Sequence, residues 1–405
     1  MGVDAREVWI TGLGLISSAG EGADAHWTRL TGPDAAKPVV DEAGFAPYPV
    51  HPLAPVDFSR FVPKRSDQNQ MGQWQLTGVA AAGLALADAG LAGNAGLLDV
   101  TDLVIAAGNG ERDVGADRKI LDGMAGRPDT AIYLNETLPR ALRPTLYLVE
   151  LSNLLAGNIS IIHGATGSSR TYKGEEIAGV SVVEDAFRRI RSGQTELCLV
   201  GGSYNAQRQD QLLIFELGKY LWQGAHAGVW ARQAHGGGMV LGSLGAFLVI
   251  ESKAHALARG ARPHAQIAGV ESGRSDRTPG SGTASLAALF GRLGGKPVRG
   301  ELPVLSGASG VEPALAAELA FLRGLEADGY YPLIRAFGSV LGHGVEAHFP
   351  MGVALAALAV ARGEFYPPFD DSREEDVALK RTESILVTGV GHWRGEGLAL
   401  VRAAE

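Results

Sequence analysis

Short apolar runs and helix-like stretches alternate along most of the chain. "VWITGLGLIS" (8–17) reads as a buried strand with a glycine turn, and "QWQLTGVAAAGLALADAG" (73–90) as a largely buried helix. "DLVIAAGNG" (102–110) predicts a strand, "PRALRPTLYLVELSNLLAG" (139–157) a helix and "NISIIHG" (158–164) a strand. "AGVSVVEDAFRRIRSG" (178–193) follows as a helix, "ELCLVGG" (196–202) as a strand and "GAFLVIES" (245–252) as another, leading into "KAHALARGA". A second series runs through strand "PHAQIAGVES" (263–272), helix "TASLAALFGRLGG" (283–295), strand "LPVLSGAS" (302–309) and helix "PALAAELAFLRGL" (313–325). Strand "YYPLIRAFGS" (330–339), helix "AHFPMGVALAALAVARG" (347–363), "SILVTGVGHW" (384–393) and "GLALVRAA" (397–404) close it.

Such alternation implies an α/β protein with largely parallel sheets covered by helices. Two series imply two similar halves, residues 1–252 and 253–405. The irregular segments near 31–62, 203–240 and 363–383 read as ordered excursions, because they carry prolines and aromatics.

Composition narrows the function classes. With 405 residues and 46% hydrophobic content, a large core is within reach. A formal charge of −8 disfavours a nucleic-acid partner. One cysteine, Cys198, excludes an internal disulfide and a cysteine-based zinc site. The N-terminal "MGVDAREVWITGLG" has no basic start followed by an apolar stretch, and no uncharged apolar run reaches about 18 residues. The expectation is a cytoplasmic protein without membrane insertion.

"GLGLIS" (12–17) resembles half a dinucleotide fingerprint, but it lacks the third glycine and no helix opens on it. No G-x-S-x-G elbow occurs. Cys198 lies inside a strand, whereas a nucleophilic thiol needs an exposed, electropositive setting. "GEE" (174–176) opens the helix of the 158–202 region. Acids in a first helical turn gain about 0.3–1 kcal/mol each from the macrodipole, which alone explains them. His343, between glycines in "GSVLGHG" (338–344), reads alone as a structural histidine.

Taken together, these segments resemble the β-ketoacyl-carrier-protein synthase (ketosynthase) family of the thiolase fold. "VWITGLGLISSAG" resembles its opening strand, and "GVAAAGLALADAGL" its first long helix. "VWARQAHGGGMVLGSLGAFLVIESKAHALARGA" is similar to its "D-x-x-R-x-G-F-V-x-G-E-G-A-G" region, with Ser243 where the family has glutamate. "GSVLGHG" resembles "K-S-x-x-G-H", and "TGVGHW" the closing "F-G-F-G-G-T". The resemblance implies αβαβα layers, with two similar βαβ halves and stacked mixed sheets. It also implies a cysteine nucleophile at a helix start, two histidines that stabilise a developing enolate, and an organising lysine.

By local spacing, the cysteine position falls on Glu176, the first histidine on Ala308 and the lysine on Gly338. The second histidine persists as His343, and the gating phenylalanine falls on Val390. Three of four catalytic groups are missing. A glutamate cannot hold a lasting acyl group, since the product would be a labile anhydride, but it can accept backbone N–H groups at a helix start.

The chain length factor of type II polyketide synthases is a ketosynthase homologue with the cysteine replaced, commonly by glutamine in "E-Q-A-G-G". "GEEIAGVSVVEDAFRRI", "ISIIHGATGSS" and "SGASGVEP" resemble that subfamily. The retained His343, and glutamate instead of glutamine, point to a branch outside the aromatic polyketides, such as polyene or very-long-chain acyl assembly. The resemblance implies a heterodimer with an active ketosynthase subunit, an acyl carrier protein as partner, and no cofactor or metal. "GNGERDVGADRKILDG" (108–123) is expected to line the interface and tunnel, with Gly115 and Ala116 as candidates. The rival readings are a homodimeric malonyl-carrier-protein decarboxylase using His343 and Glu176, and a purely structural partner.

Overall fold

In a computed structural model, residues 6–142, 146–375 and 381–405 are described. The first series forms β1 (Val8–Ser17), β2 (Asp102–Ala107), β3 (Ser169–Lys173), β4 (Leu197–Tyr204) and β5 (Leu244–Ser252). The second forms β6 (Ala265–Gly273), β7 (Gly300–Ser306), β8 (Tyr330–Ala336), β9 (Ser384–Val390) and β10 (Glu396–Arg402). Their spatial order is β8-β7-β9-β10-β6-β1-β5-β4-β2-β3.

The two halves of that order are the same. In each, the first strand pairs antiparallel with the fifth, the fifth antiparallel with the fourth, and the fourth, second and third run parallel. The half-sheets meet where Val8–Ile10 pairs antiparallel with Ala265–Ile267.

Among the described residues, the longest helices of the layers and of the excursion after β2 are α1 (Gln73–Asp88), α2 (Val114–Met124), α3 (Thr130–Ala141), α4 (Leu154–His163), α5 (Glu176–Arg191), α6 (Ser281–Arg292), α7 (Ala314–Gly324) and α8 (His348–Arg362). α5 and α8 pack on each other and on strands of both halves, so they form the central layer. α1 and α4 cover the outer face of the first half, and α6 and α7 that of the second. The αβαβα layering of a thiolase-like fold results.

α8 and the turn before it are apolar and long enough to cross a membrane, yet 89% of that stretch is buried inside the protein. Side chains such as Leu355 and Phe349 each gain roughly 1.5–3 kcal/mol from that burial.

Three local expectations are corrected. Residues 158–164 are not a strand but the end of α4, closed by Gly164 in the left-handed region at φ 77°. A short apolar run does not discriminate strand from helix, and here Leu155, Ala156 and Ile159 share one buried face while Ile161 is exposed. The helix expected over 139–157 is split between α3, a short helix at Leu146–Glu150 and α4; residues 143–145 lie outside the described residues. The glycines of "GLGLIS" make no turn. β1 continues through them, and a Cβ on Gly14 would lie 1.9 Å from the carbonyl oxygen of Ala81 in α1, so they permit close helix–strand approach.

Candidate functional site

The site lies at the N-terminus of α5. β3 ends at Lys173, Gly174 N–H donates to Ala107 O at 3.2 Å, and α5 starts at Glu176. α5 is seated deeply because Gly179 lets it approach the turn after His343: a Cβ there would lie 2.4 Å from the carbonyl oxygen of Glu346.

Glu176 is only 4% exposed. Its carboxylate accepts from His343 Nε2 at 2.9 Å, from His392 Nδ1 at 2.9 and 3.1 Å, and from the His392 backbone N–H at 3.2 Å. The expectation is an acceptor of backbone N–H groups at the helix start; the donors are instead the rings of His343 and His392 and one backbone N–H from the turn after β9. Burial alone would raise the pKa of such a carboxyl, but His392 and His343 hold it well below the usual range. Burial would lower His392, and the facing Glu176 raises it instead. The two form a buried ion pair.

Each partner is fixed by its backbone. His343 N–H donates to Val240 O at 2.8 Å, and its carbonyl accepts from Gly242 at 3.0 Å. The turn bearing His392 is closed by Gly391 N–H donating to Gly395 O at 2.9 Å. It is pinned by Arg277, which donates to Gly391 O at 2.6 Å and pairs with the buried Glu396. The His392 ring meets Phe215 and Tyr220 edge-on, at 5.5 and 4.6 Å.

Ala308 and Gly338 come together here. A Cβ on Gly338 would lie 3.4 Å from the carbonyl oxygen of Ala308 and 3.7 Å from the ring of His348. His348 stacks on Phe337 at 4.2 Å and contacts the His343 ring at 4.3 Å. Burial, and then His343, keep it well below the usual histidine range, so it is neutral. Val390 is buried at the end of β9, two residues before His392. Gly115 and Ala116 lie instead in α2, Gly115 exposed and Ala116 buried.

Sequence reasoning missed His392 and His348. The alignment that sets Val390 on the gating phenylalanine also sets His392 on a glycine of "F-G-F-G-G-T", and that replacement was a legible signal. Nothing local marks His348. Cys198 is a fully buried strand residue whose thiol is pushed up to about 12 by burial, which makes it inert.

Glu175, Glu176 and His392 offer ligating atoms within 4.8 Å of one another. These atoms do not fit a metal well. His392 already donates to Glu176 and the Trp393 indole N–H to Glu175, so a cation would have to displace both.

The fold and the residues around α5 define a ketosynthase-class protein of the thiolase fold. The family model of the β-ketoacyl synthase N-terminal domain matches residues 5–256, and the chain belongs to the β-ketoacyl synthase family. It is 26% identical to an oxytetracycline polyketide putative β-ketoacyl synthase 1 of Streptomyces rimosus, over 92% of this chain and 89% of that protein. It is 27% identical to a 3-oxoacyl-[acyl-carrier-protein] synthase 2 of Rhizobium meliloti, over 65% of this chain and 63% of that one. The solved ishigamide ketosynthase/chain length factor superposes with a TM-score of 0.79 at 22% identity, covering 99% of this chain and 100% of that one.

Proposed function

We propose that this chain is a catalytically degenerate ketosynthase subunit, a chain length factor that pairs with an active ketosynthase and shapes its acyl tunnel. One observation carries the reading: at the start of α5, where the alignment sets the family nucleophile, the Glu176 carboxylate is spent on a buried ion pair with His392 and a bond from His343. A thioester has no thiol to attack it there. The decarboxylase reading is weaker, because the Nε2 donor that His343 would offer to a substrate already serves Glu176.

A partner subunit is supported by exposed features of the first half, which we take as residues 1–252, with 253–405 as the second. Among the described residues β3 is the last strand of the sheet, and its outer edge pairs with no further strand, leaving an edge that a second chain would cover. The α2–α3 excursion presents Leu121 and Ile132, at 66% and 60% exposure. A cleft of about 460 Å³ opens at the root of this excursion, lined by Phe45, Met71, Val149, Glu111 and Arg208. The acyl carrier protein is the expected substrate carrier, and the cytoplasm the expected compartment.

Two results test the reading. The purified chain, incubated with acyl-loaded carrier protein, should gain no acyl mass by intact-protein mass spectrometry; a stable adduct at Glu176 or Cys198 would defeat it. With its partner present, Gly115→Trp should shift products to shorter chains. Each excluded methylene forfeits about 0.8 kcal/mol, so one two-carbon step forfeits roughly 1.6 kcal/mol, more than tenfold in product preference. An unchanged distribution with an intact heterodimer would favour the purely structural partner.

A further inference from the structure

We propose that the His392–Trp393 turn is a built-in plug, closing position 176 to small molecules. Trp393 is 41% exposed, while the adjoining His392 and the Glu176 carboxylate that it contacts are each 4% exposed. On this proposal the turn is the cover between the carboxylate and solvent. Outside, the Trp393 indole N–H donates to Glu175, and the Arg394 guanidinium lies 3.8 Å from the indole centroid. Inside, the His392 ring is confined by Phe215, Tyr220 and the Glu176 carboxylate.

The turn cannot swing aside without losing its bonds to Arg277, which donates to the Gly391 and Gly395 carbonyls and pairs with the buried Glu396. A glycine at 392 would leave a gap the size of an imidazole directly over the carboxylate. The bulk of the ring, beyond the loss of cysteine, therefore keeps a thioester from reaching α5. This inference does not rest on the chain-length reading, because it concerns access alone.

The test uses the full chain and iodoacetamide, with alkylation mapped by mass. Cys198 is the only native thiol and serves as the buried reference. In Glu176→Cys, position 176 should alkylate as slowly as Cys198. In Glu176→Cys/His392→Gly it should alkylate at least about tenfold faster, since thiol reactivity follows access. Glu176→Cys/His392→Gln retains bulk without an imidazole and should stay slow; it also serves as the closed reference if the single variant unfolds. Cooperative melting of each protein is checked first. Equal rates in the closed and glycine variants would overturn the plug, and so would fast labelling of the glutamine variant, which would assign the effect to charge. A glycine variant as inert as Cys198 would overturn it too, by showing that another element seals the site.

Discussion

Replacing His392 by alanine is expected to lower the free energy of unfolding by about 3–5 kcal/mol near pH 6, measured by urea denaturation. The cost arises because the Glu176 carboxylate stays buried with its principal counter-charge removed. The pH dependence separates this cause from simple loss of packing. The folded-state value of His392 is raised above 6.5, so the folded state holds its proton more tightly than the unfolded one. Its stabilisation is complete below pH 6.5 and is lost as pH rises through the folded value. The gap between wild type and variant should therefore narrow from pH 6 to pH 9. Glu346, pushed up to about 8 by burial, destabilises both proteins over the same range and cancels in the difference. A double replacement of Glu176 and His392 by leucine should recover most of the loss, since removing both charges leaves none uncompensated. A gap that stays constant with pH would mean that packing, not charge, sets the cost.

Restoring the nucleophile is expected to leave condensation at least ~10²–10³-fold below an active ketosynthase assayed alongside, even in Glu176→Cys/His392→Gly. That variant supplies a thiol at a helix start and opens the path to it. It does not supply the enolate-stabilising histidine that the alignment sets at Ala308 or the organising lysine that it sets at Gly338, and one missing oxyanion donor typically costs ~10²–10³ in rate. His348 stands beside both positions but is neutral and stacked on Phe337, so it replaces neither a lysine nor a substrate-facing histidine. Turnover near that of the active enzyme would show that other groups stabilise the enolate. No turnover, with the introduced thiol alkylated readily, would confine the defect to those donors.

Much of the architecture was legible along the chain. Strands such as "ELCLVGG" and helices such as "AGVSVVEDAFRRIRSG" carry their own periodicity, and repeating the alternation implied two similar halves. The strand order bears out that repeat, each half running third-second-fourth-fifth-first. The start of α5 at Glu176 was also legible, because the distance from "LVGG" and "RSG" back to the helix start is local. Where the sequence misled, in residues 158–164 and at Gly12 and Gly14, a short apolar or glycine-rich run fits more than one structure. Packing against α1 and the first half-sheet settled which one forms.

Residue identity along the chain is enough to place it in the family, and local alignment sets Glu176 where the family's nucleophile is expected. It is not enough to say what Glu176 does. The partners of that carboxylate lie 167 and 216 residues away, at His343 and His392, and reach it because the turns after β8 and β9 both end over the first turn of α5. No periodicity encodes a contact of that kind. It depends on which strand ends the fold brings to one point, and on burial that makes the resulting charges pair.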